Sequence, residues 1–377
     1  MDTEIFVVDN NSTDGSREYL EPLFPSVKFF WNKNNIGFAK ANNSVLRETR
    51  GDYVLFLNPD TILPEDCFEK CISFFKTKKD CAALGVRMLD GSGRFLKESK
   101  RSFPSVSTSF FKMAGLSSLF PSSKLFSRYY AGHLDQRKNN EVDVLAGAFM
   151  MLSRTTLGAV AGFDEDFFMY GEDIDLSYRI QKMGYKNYYF AGTTIIHFKG
   201  ESTQKNSLAY VRRFYKAMQL FVSKHYTAKK PMMYLTKSSI AIGRGFASLS
   251  SRVRKIINSR SNPGQINLAI TADQKRFDEI IHLIRYSAMP VVIKGRISPG
   301  TNDNSVAIGT IDKIELLVKK FSVDSLLFCE NGLGFKQIIE KMESLSPKVS
   351  FLFHSNKSHS IVSSNSKDHN GIFIAKP

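Results

Sequence analysis

The stretch GFDEDFFMYGEDIDLSYRIQKMGY, residues 162–185, carries the strongest structural and chemical signal in this sequence. Its second half predicts a helix over Asp173–Met183, which Gly184 ends. Glu172 and Asp173 stand at the start of that helix, where the positive helix end favours ionised carboxylates. Acidic side chains beside so many aromatic residues are costly unless they serve a cation, a proton transfer or a polar ligand. Ordinary first-turn acids and helix caps are the alternative.

Two further acidic positions lie upstream, each where a predicted strand ends. VVDNNSTDGS, residues 7–16, places Asp9 at one strand end, and VLFLNPDT, residues 54–61, places Asp60 just beyond another. Ligands of open α/β sheets bind outside the carboxyl ends of the strands. Asp9 can accept hydrogen bonds from a nucleobase or ribose, and Asp60 can hold a hard divalent cation against a diphosphate. The alternative is that both residues only cap turns.

A histidine follows downstream, in IIHFKGEST, residues 195–203. His197 ends a predicted strand. A lone histidine is more often structural than a metal ligand, so it becomes a candidate ligand only if the fold brings it close to Asp60.

Strands and helices alternate along most of the chain, which predicts an α/β fold with a mostly parallel sheet covered by helices. The break at Asn262-Pro263-Gly264 precedes a second run of alternating strands and helices. We therefore expect one domain over residues 1–228, a basic amphipathic helix and linker over 229–262, and a smaller domain over 263–377.

Length and composition bound the function. The chain has 377 residues, a formal net charge of +16 and 42% hydrophobic residues, enough for two packed cores. The composition excludes a disordered tail, a collagen-like chain and a small disulfide scaffold. The four cysteines form no C-x-x-C pair and are typical of buried thiols in a reducing compartment.

Half of the net charge lies in one short segment. Residues 229–260 carry eight basic side chains and no acidic one. Apolar residues at helical spacing share that segment, which is typical of a helix lying on an anionic membrane surface. A linker helix packed on the protein itself is the alternative. With no groove-reading motif, no nucleic-acid partner is expected. The sequence has no signal peptide and no spanning stretch, so a cytoplasmic protein, peripheral on the inner face of the membrane, is expected.

Taken together and in their order along the chain, the motifs resemble those of the family two inverting glycosyltransferases, with a GT-A (Rossmann-like) nucleotide-sugar fold. The bacterial rhamnosyltransferase-like branch is most similar. NIGFAKANN, residues 35–43, completes the set with the four stretches above. The resemblance covers roughly residues 1–225 and implies roles for single residues. Its implied donor-binding residues are Asp9, Asn11, Asn35, Gly37, Lys40, Asn42, Asn58 and Gly147.

The same resemblance implies a chemistry. Asp173 is the expected general base, with Glu172 beside it, and Asp60 and His197 are the expected ligands of Mg²⁺ or Mn²⁺. Arg179 is expected to brace the helix by pairing with an acid. The implied reaction is a single displacement of a sugar from a dTDP-, UDP- or GDP-linked donor. Among these donors, the resemblance favours dTDP-rhamnose. The acceptor is a hydroxyl of a lipid-linked or cell-surface glycan. A catalytically impaired scaffold of a glycan-assembly complex is the alternative.

One departure from the family pattern stands at the N-terminus. Family members begin with another strand and helix before the strand that ends at Asp9, and that strand helps form the nucleotide pocket. Here Met1-Asp2-Thr3 directly precedes the Asp9 strand. We therefore expect the first domain to lack its first strand, with Met1 as an internal start or a truncation.

The C-terminal part is similar to the Rossmann-like domain of polyprenyl glycosylphosphotransferases. Residues 306–342, VAIGTIDKIELLVKKFSVDSLLFCENGLGFKQIIEKM, carry this likeness. Its first strand-to-helix turn, AITADQKRF at 269–277, contains no glycine, so the usual phosphate cradle is not expected there. A structural or protein-interaction role is expected instead.

Overall fold

The structure is a computed structural model, and it describes residues 2–104, 120, 123, 125, 127–198, 208–226, 265–285, 291–300, 306–330, 333–356, 358, 360–362 and 372–373. The predicted basic helix between residues 229 and 262 lies outside this part, so the helix and the domain limits beside it stay predictions. No described helix combines the length and the apolarity that crossing a bilayer requires.

The N-terminal part is an α/β unit. Its strands are β1 Phe6–Asp9, β2 Lys28–Trp31, β3 Tyr53–Leu57, β4 Thr61–Ile62, β5 Cys81–Leu89, β6 Lys100–Arg101, β7 Asn140–Val142, β8 Val144–Leu145, β9 Phe149–Ser153 and β10 Lys186–His197. Its α-helices are α1 Ser16–Leu23, α2 Phe38–Ser44, α3 Cys67–Thr77, α4 Arg154–Val160, α5 Glu172–Lys182 and α6 Leu208–His225. Short 3₁₀ turns cover Lys97–Ser99 and Arg128–Tyr130.

The central sheet of this part is mixed. Its strand order is β3-β9-β5-β10-β4, with β7 added beside β10. β10 runs parallel to β5 but antiparallel to β4 and β7. β9 runs antiparallel to both β3 and β5. The expectation of a mostly parallel sheet is therefore wrong for the N-terminal part, because β9 runs antiparallel to both of its neighbours.

Strand β5 was not predicted, although it lies at the centre of the sheet. All nine of its residues are buried, as is usual for a strand covered on both faces. A continuous apolar run of this kind lacks the alternation that identifies a strand from sequence. Strands β8 and β9 are separated by Ala146-Gly147-Ala148.

β1 and β2 form a separate two-stranded parallel sheet. Neither strand is hydrogen-bonded to another described strand. The residues of β1 are half-buried. The expected missing strand ahead of β1 stays a prediction.

The C-terminal part is built on a five-stranded parallel sheet. Its strands are β11 Ile266–Thr271, β12 Val291–Ser298, β13 Gly309–Thr310, β14 Ser325–Cys329 and β15 Ser350–His354, and a small antiparallel pair follows, β16 Ser360–Ile361 and β17 Ile372–Phe373. Its helices are α7 Gln274–Arg285, α8 Ile314–Lys320 and α9 Phe335–Leu345, with a 3₁₀ turn at Ile311–Lys313. The order β13-β12-β11-β14-β15 is that of a doubly wound sheet. This part therefore has the parallel α/β architecture that the sequence predicts.

One apolar cluster joins the two parts. Leu89, Ile196 and Phe198 belong to the same buried cluster as Phe328 and Phe353 of the C-terminal sheet. The rings of Phe198 and Phe353 pack edge to face, with their centroids 5.1 Å apart. Because this burial removes large apolar side chains from water on both sides, the hydrophobic effect holds the two parts together.

Polar contacts surround this cluster. The nearly buried guanidinium of Arg87 makes two hydrogen bonds to the Glu343 carboxylate, at 2.8 and 3.1 Å. The Glu65 carboxylate accepts hydrogen bonds from the backbone N–H groups of Phe335 and Lys336, the latter at 3.1 Å. Glu65 thus caps helix α9 from the other part of the chain, where the helix end attracts negative charge.

Phe198→Ala tests this shared core. We expect a loss of about 3–5 kcal/mol in the free energy of unfolding, because a buried aromatic ring leaves a cavity in both parts at once. The loss should appear in a single cooperative transition, measured by chemical denaturation with circular dichroism. Phe24→Ala, at a ring that is 50% exposed, is the control and should change stability little. Two separate transitions, with only the first one shifted, would show that the cores are independent.

Candidate active site

The structure brings Asp60 and His197 together. Asp60 immediately precedes β4, and β4 pairs with the end of β10, so that Thr61 lies opposite His197. His197 Nε2 lies 3.2 Å from Asp60 Oδ1. The backbone N–H of Phe198 also donates to the Asp60 carbonyl, at 2.9 Å. The condition under which His197 counts as a candidate ligand, proximity to Asp60, is therefore met.

The Asp60 carboxylate is buried and negatively charged. Burial opposes its ionisation, but contacts with His197, with its own backbone and with Asn58 outweigh that cost and hold the pKa of Asp60 below its ordinary value. Oδ1 is buried, and among the described residues it contacts only His197 Nε2. A buried ionised oxygen with so little hydrogen bonding is a suitable ligand for a cation.

Helix α5 begins at Glu172, directly after a glycine with left-handed backbone geometry. Gly171 has φ +85°, and a Cβ there would come within 3.2 Å of Phe167 and Ala217. Only glycine fits this turn without strain. The turn delivers Glu172 and Asp173 to the first turn of the helix, as the sequence predicts.

Asp173 is held by three donors. Arg101 Nη2 lies 2.5 Å from Oδ2, and the backbone N–H of Gly147 donates to the same oxygen at 3.2 Å. The backbone N–H of Ile174 donates to Oδ1 at 2.8 Å. Gly147 also packs closely on this side chain, because a Cβ at that position would lie 3.4 Å from the Asp173 Cβ. Asp173 and Gly147 thus belong to one site.

Glu172 behaves differently from its neighbour. Its side chain is buried, and Oε2 has no hydrogen-bond partner among the described residues. Burial, with the negative charge of Asp173 adding to it, raises the pKa of Glu172 to about 8. Glu172 is therefore predominantly protonated at neutral pH in this state, and it carries no charge that competes with Asp173.

Arg101 belongs to none of the predicted motifs. It lies on the two-residue strand β6. It is 9% exposed, and besides Asp173 it donates to the Leu145 carbonyl at 2.7 Å. No local pattern marks this arginine, since its partners are 44 and 72 residues away.

The loop after β3 lies next to this cluster. The backbone N–H of Asn58 donates to the Ala148 carbonyl at 3.0 Å, beside Gly147. The stretch Asn58-Pro59-Asp60 is thereby tied to the segment that holds Asp173. The Asp60–His197 pair and the Asp173 cluster therefore occupy connected parts of the fold.

The residues at the end of β1 show mainly turn geometry. Asp9 Oδ1 accepts the backbone N–H of Ser12 at 2.8 Å, which is the turn-capping alternative considered for Asp9. Asn11 is exposed and has φ +69°. Asn10, which was not singled out, joins the strand end to the next motif by donating to the Gly37 carbonyl at 3.1 Å.

The NIGFAKANN motif forms the turn into α2. Asn35 Oδ1 accepts the backbone N–H of Gly37 at 3.1 Å. Gly37 has φ +91°, and a Cβ there would lie 2.7 Å from the Phe168 carbonyl oxygen. Lys40 is exposed, and Asn42 donates back to the Phe38 carbonyl at 2.9 Å within the helix. The motif is thus packed against the loop that leads to α5.

Arg179 has the bracing role predicted for it. Its Nε lies 2.7 Å from Asp175 Oδ2, and its other nitrogens donate to the carbonyls of Val160 and Gly162 at 2.6 and 2.8 Å. Asp175 is fully buried and also contacts His225 Nε2 at 2.6 Å. The prediction that Arg179 pairs with an acid is confirmed, and Asp175 has a structural function.

The raised pKa of Glu172 predicts a pH-dependent stability. Between the ordinary value of 4.5 and about 8, the folded chain keeps a proton that the unfolded chain has lost. The free energy of unfolding should therefore fall as the pH rises through this window, and the loss should level off above it. In Glu172→Gln this dependence should disappear, as measured by urea denaturation at pH 5 to 8. Glu165→Gln, an exposed neighbour, is the control. A pH slope unchanged in Glu172→Gln would refute the protonated state.

Comparison with known proteins gives concordant results. Residues 1–161 match the model of Glycosyl transferase family 2. The N-acetylglucosaminyl-diphospho-decaprenol L-rhamnosyltransferase of Mycobacterium tuberculosis is 25% identical over 264 residues, which cover 67% of this chain and 85% of that protein. Rhamnosyltransferase WbbL of Escherichia coli K12 is 28% identical over 236 residues, which cover 62% and 79% of the two chains.

Solved structures show a looser likeness. The mannosyltransferase PcManGT of Pyrobaculum calidifontis, in complex with GDP-Man and Mn²⁺, aligns at a TM-score of 0.39 and 14% identity, over 75% of this chain and 71% of that one. The assignment rests on the family model and the sequence relatives. Residues 1–161 of this chain thus match a glycosyl transferase family 2 domain, the family that its motifs resemble.

Proposed function

We propose that the chain transfers a sugar from a nucleotide-diphosphate donor to a hydroxyl of a lipid-linked or cell-surface glycan, with inversion at the anomeric carbon. The first candidate for the donor is dTDP-rhamnose, which would supply L-rhamnose, and UDP- and GDP-sugars are the other candidates. The observation that carries this proposal is the pairing of the ionised Asp60 with His197, close to the candidate base. The backbone N–H of Asn58 donates to the Ala148 carbonyl and so connects this pair to Gly147 and Asp173.

The residues at Asp60 fit a divalent cation. A buried carboxylate oxygen of Asp60 faces an imidazole nitrogen of His197, and both are ligand types of Mg²⁺ or Mn²⁺. In the described part of the chain, no group of three or more such side chains is arranged to hold a metal. Asp60 and His197 would therefore share the ion with the donor phosphates, as is usual for Mg²⁺ sites. When bound, such an ion stabilises the charge that develops on the leaving diphosphate.

In this proposal Asp173 is the general base. It takes the proton of the acceptor hydroxyl while that oxygen forms the new bond to the anomeric carbon. The bond from that carbon to the donor diphosphate breaks on the opposite side, so the configuration inverts. Glu172, neutral beside it, leaves the negative charge of the pair on Asp173. General-base assistance of this kind contributes about 10²–10⁴-fold in rate.

The donor nucleotide is assigned to the β1 and α2 region. Asp9 ends β1 and Asn11 follows it, and Asn35 and Gly37 lie between β2 and α2, beyond the carboxyl ends of two parallel strands. Lys40 and Asn42 lie on α2, the helix that begins there. Such strand ends are the usual place for a nucleotide in an α/β sheet. Asn58 and Gly147 would contact the diphosphate and sugar from the adjoining loops.

Two relatives guide the choice of substrates. The mycobacterial relative is named for L-rhamnosyl transfer to an N-acetylglucosaminyl-diphospho lipid, and WbbL is named as a rhamnosyltransferase. A lipid-linked acceptor would place this chain at the inner face of the membrane. The basic segment at residues 229–262 is our candidate for contact with anionic lipid there.

Asp173→Asn tests the proposal. With dTDP-rhamnose as donor and a synthetic N-acetylglucosaminyl-diphospho lipid as acceptor, we expect transfer to fall by about 10²–10⁴-fold, because the amide cannot accept the proton. Donor binding, measured by calorimetry, should be retained. Asp166→Asn removes a mostly exposed acid from the same stretch and should transfer at the wild-type rate.

Full transfer by Asp173→Asn with the donor bound would refute the base assignment. No turnover by the wild-type chain with any dTDP-, UDP- or GDP-sugar would favour the scaffold alternative. That alternative also predicts weak or absent nucleotide binding.

A further inference from the structure

Arg101 is a nearly buried cation at the candidate base, and neither the motifs nor the comparisons assign it a role. One nitrogen, Nη2, contacts two groups from separate elements: the Asp173 carboxylate on α5 and the Leu145 carbonyl at the end of β8. β8 leads into Gly147, whose N–H binds the same Asp173 oxygen. Arg101 therefore ties the helix that carries the base to the segment that faces it.

The pairing leaves the two Asp173 oxygens unequal. Oδ2 accepts from both Arg101 and Gly147, whereas Oδ1 accepts only the backbone N–H of Ile174. Each carboxylate oxygen has two lone-pair positions. Within the described contacts, Oδ2 is saturated and Oδ1 keeps one position for a further donor. Oδ1 is therefore the Asp173 oxygen that can accept a further hydrogen bond while Arg101 stays in place.

The energetics favour an orienting role over a stabilising one. Burying a guanidinium and a carboxylate costs desolvation energy that their attraction repays only when the geometry is good. Here Arg101 Nε is buried without a hydrogen-bond partner in the described part of the chain, so the pair is incompletely satisfied. An imperfect buried pair is a poor source of stability, but it still fixes the position of the side chain it holds.

Arg101 also lines a cavity. The volume of this cavity is about 400 Å³, and its lining includes Arg128 and Asp143 as well. Arg101 thus borders a cavity in addition to contacting the candidate base. The backbone of β6 keeps it there by antiparallel pairing, with Arg101 opposite Val144.

We propose that Arg101 is a positioning residue for the sugar transfer: it holds Oδ2 of Asp173 and so makes Oδ1 the oxygen that takes the acceptor proton. The acceptor O–H bond breaks as its proton moves to Oδ1, and the oxygen's electron pair forms the bond to the anomeric carbon. This inference rests on the proposed function, in which Asp173 is the base.

The test compares Arg101→Met and Arg101→Lys with Arg179→Met, a matched change on α5, the helix that carries Asp173. Like Arg101, Arg179 binds a carboxylate and the backbone, but its carboxylate is that of Asp175 and its carbonyls are those of Val160 and Gly162. Arg179→Met should destabilise the fold yet keep kcat of the folded protein within about 3-fold. Arg101→Met should lose kcat by about 10²-fold, the cost of a catalytic group displaced by about 1 Å. Its donor Kd, measured by calorimetry with dTDP-rhamnose, should be unchanged.

Arg101→Lys should recover most of the lost kcat, because one lysine nitrogen can donate to both Asp173 and Leu145. Retention of wild-type kcat in Arg101→Met, or an equal loss in Arg179→Met, would overturn the proposal.

A second readout does not need turnover. The amide N–H groups of Gly147 and Ile174 both donate to Asp173, so a displaced carboxylate frees them. Hydrogen exchange at these two amides should become faster in Arg101→Met and stay at the wild-type rate in Arg179→Met. Unchanged exchange in Arg101→Met overturns the positioning role even if the wild-type chain shows no transfer, an outcome that would separately refute the proposed function.

Discussion

The long strand β10 is the constraint on which the rest of the structure depends. Over residues Lys186–His197 it is hydrogen-bonded to β5, β4 and β7. Its last residue, His197, faces Asp60, and the next, Phe198, enters the apolar cluster shared with the C-terminal sheet. The geometry of the candidate metal site is therefore coupled to the packing of both parts. A shift at the end of β10 would displace the candidate metal ligand His197 and at the same time disturb the packing of Phe198 in the shared apolar cluster.

Around this strand, the fold places two carboxylate groups in opposite electrostatic environments. Asp60 keeps its charge although it is buried, because His197 and nearby hydrogen bonds outweigh the cost of desolvation. Glu172 has no such partner, and burial beside Asp173 raises its pKa to about 8. Arg101 forms its ion pair with Asp173. In the proposed function, Asp60 would hold the cation and Asp173 would take the proton, while Glu172 stays neutral. This division of roles is the pattern expected of a site for acid–base chemistry.

The local parts of this picture could be predicted from sequence, and the long-range parts could not. Helix α5 and the pairing of Arg179 follow from caps and i,i+4 spacing. The closeness of His197 to Asp60 was expected only from the family resemblance, because the two residues lie far apart in the sequence. Arg101 and the Glu65 cap on α9 could not be found, because their partners lie 72 and 270 residues away and leave no periodic signal. The buried strand β5 was missed because it is apolar on both faces. The sheet direction was wrong because strand alternation says nothing about which way β9 runs.

The central claim is that one nucleotide-sugar donor spans the end of β1 and the Asp60–His197 pair. The chain has a single tryptophan, Trp31, which lies opposite Asp9 in the β1–β2 sheet. Its fluorescence therefore reports directly on a nucleotide bound there. Titration with dTDP-rhamnose and Mn²⁺ should give a saturable change in Trp31 emission that is strongly weakened in Asp60→Asn and kept in Asp173→Asn. No change with any dTDP-, UDP- or GDP-sugar, or metal-dependent binding by Asp60→Asn equal to wild type, would contradict the account.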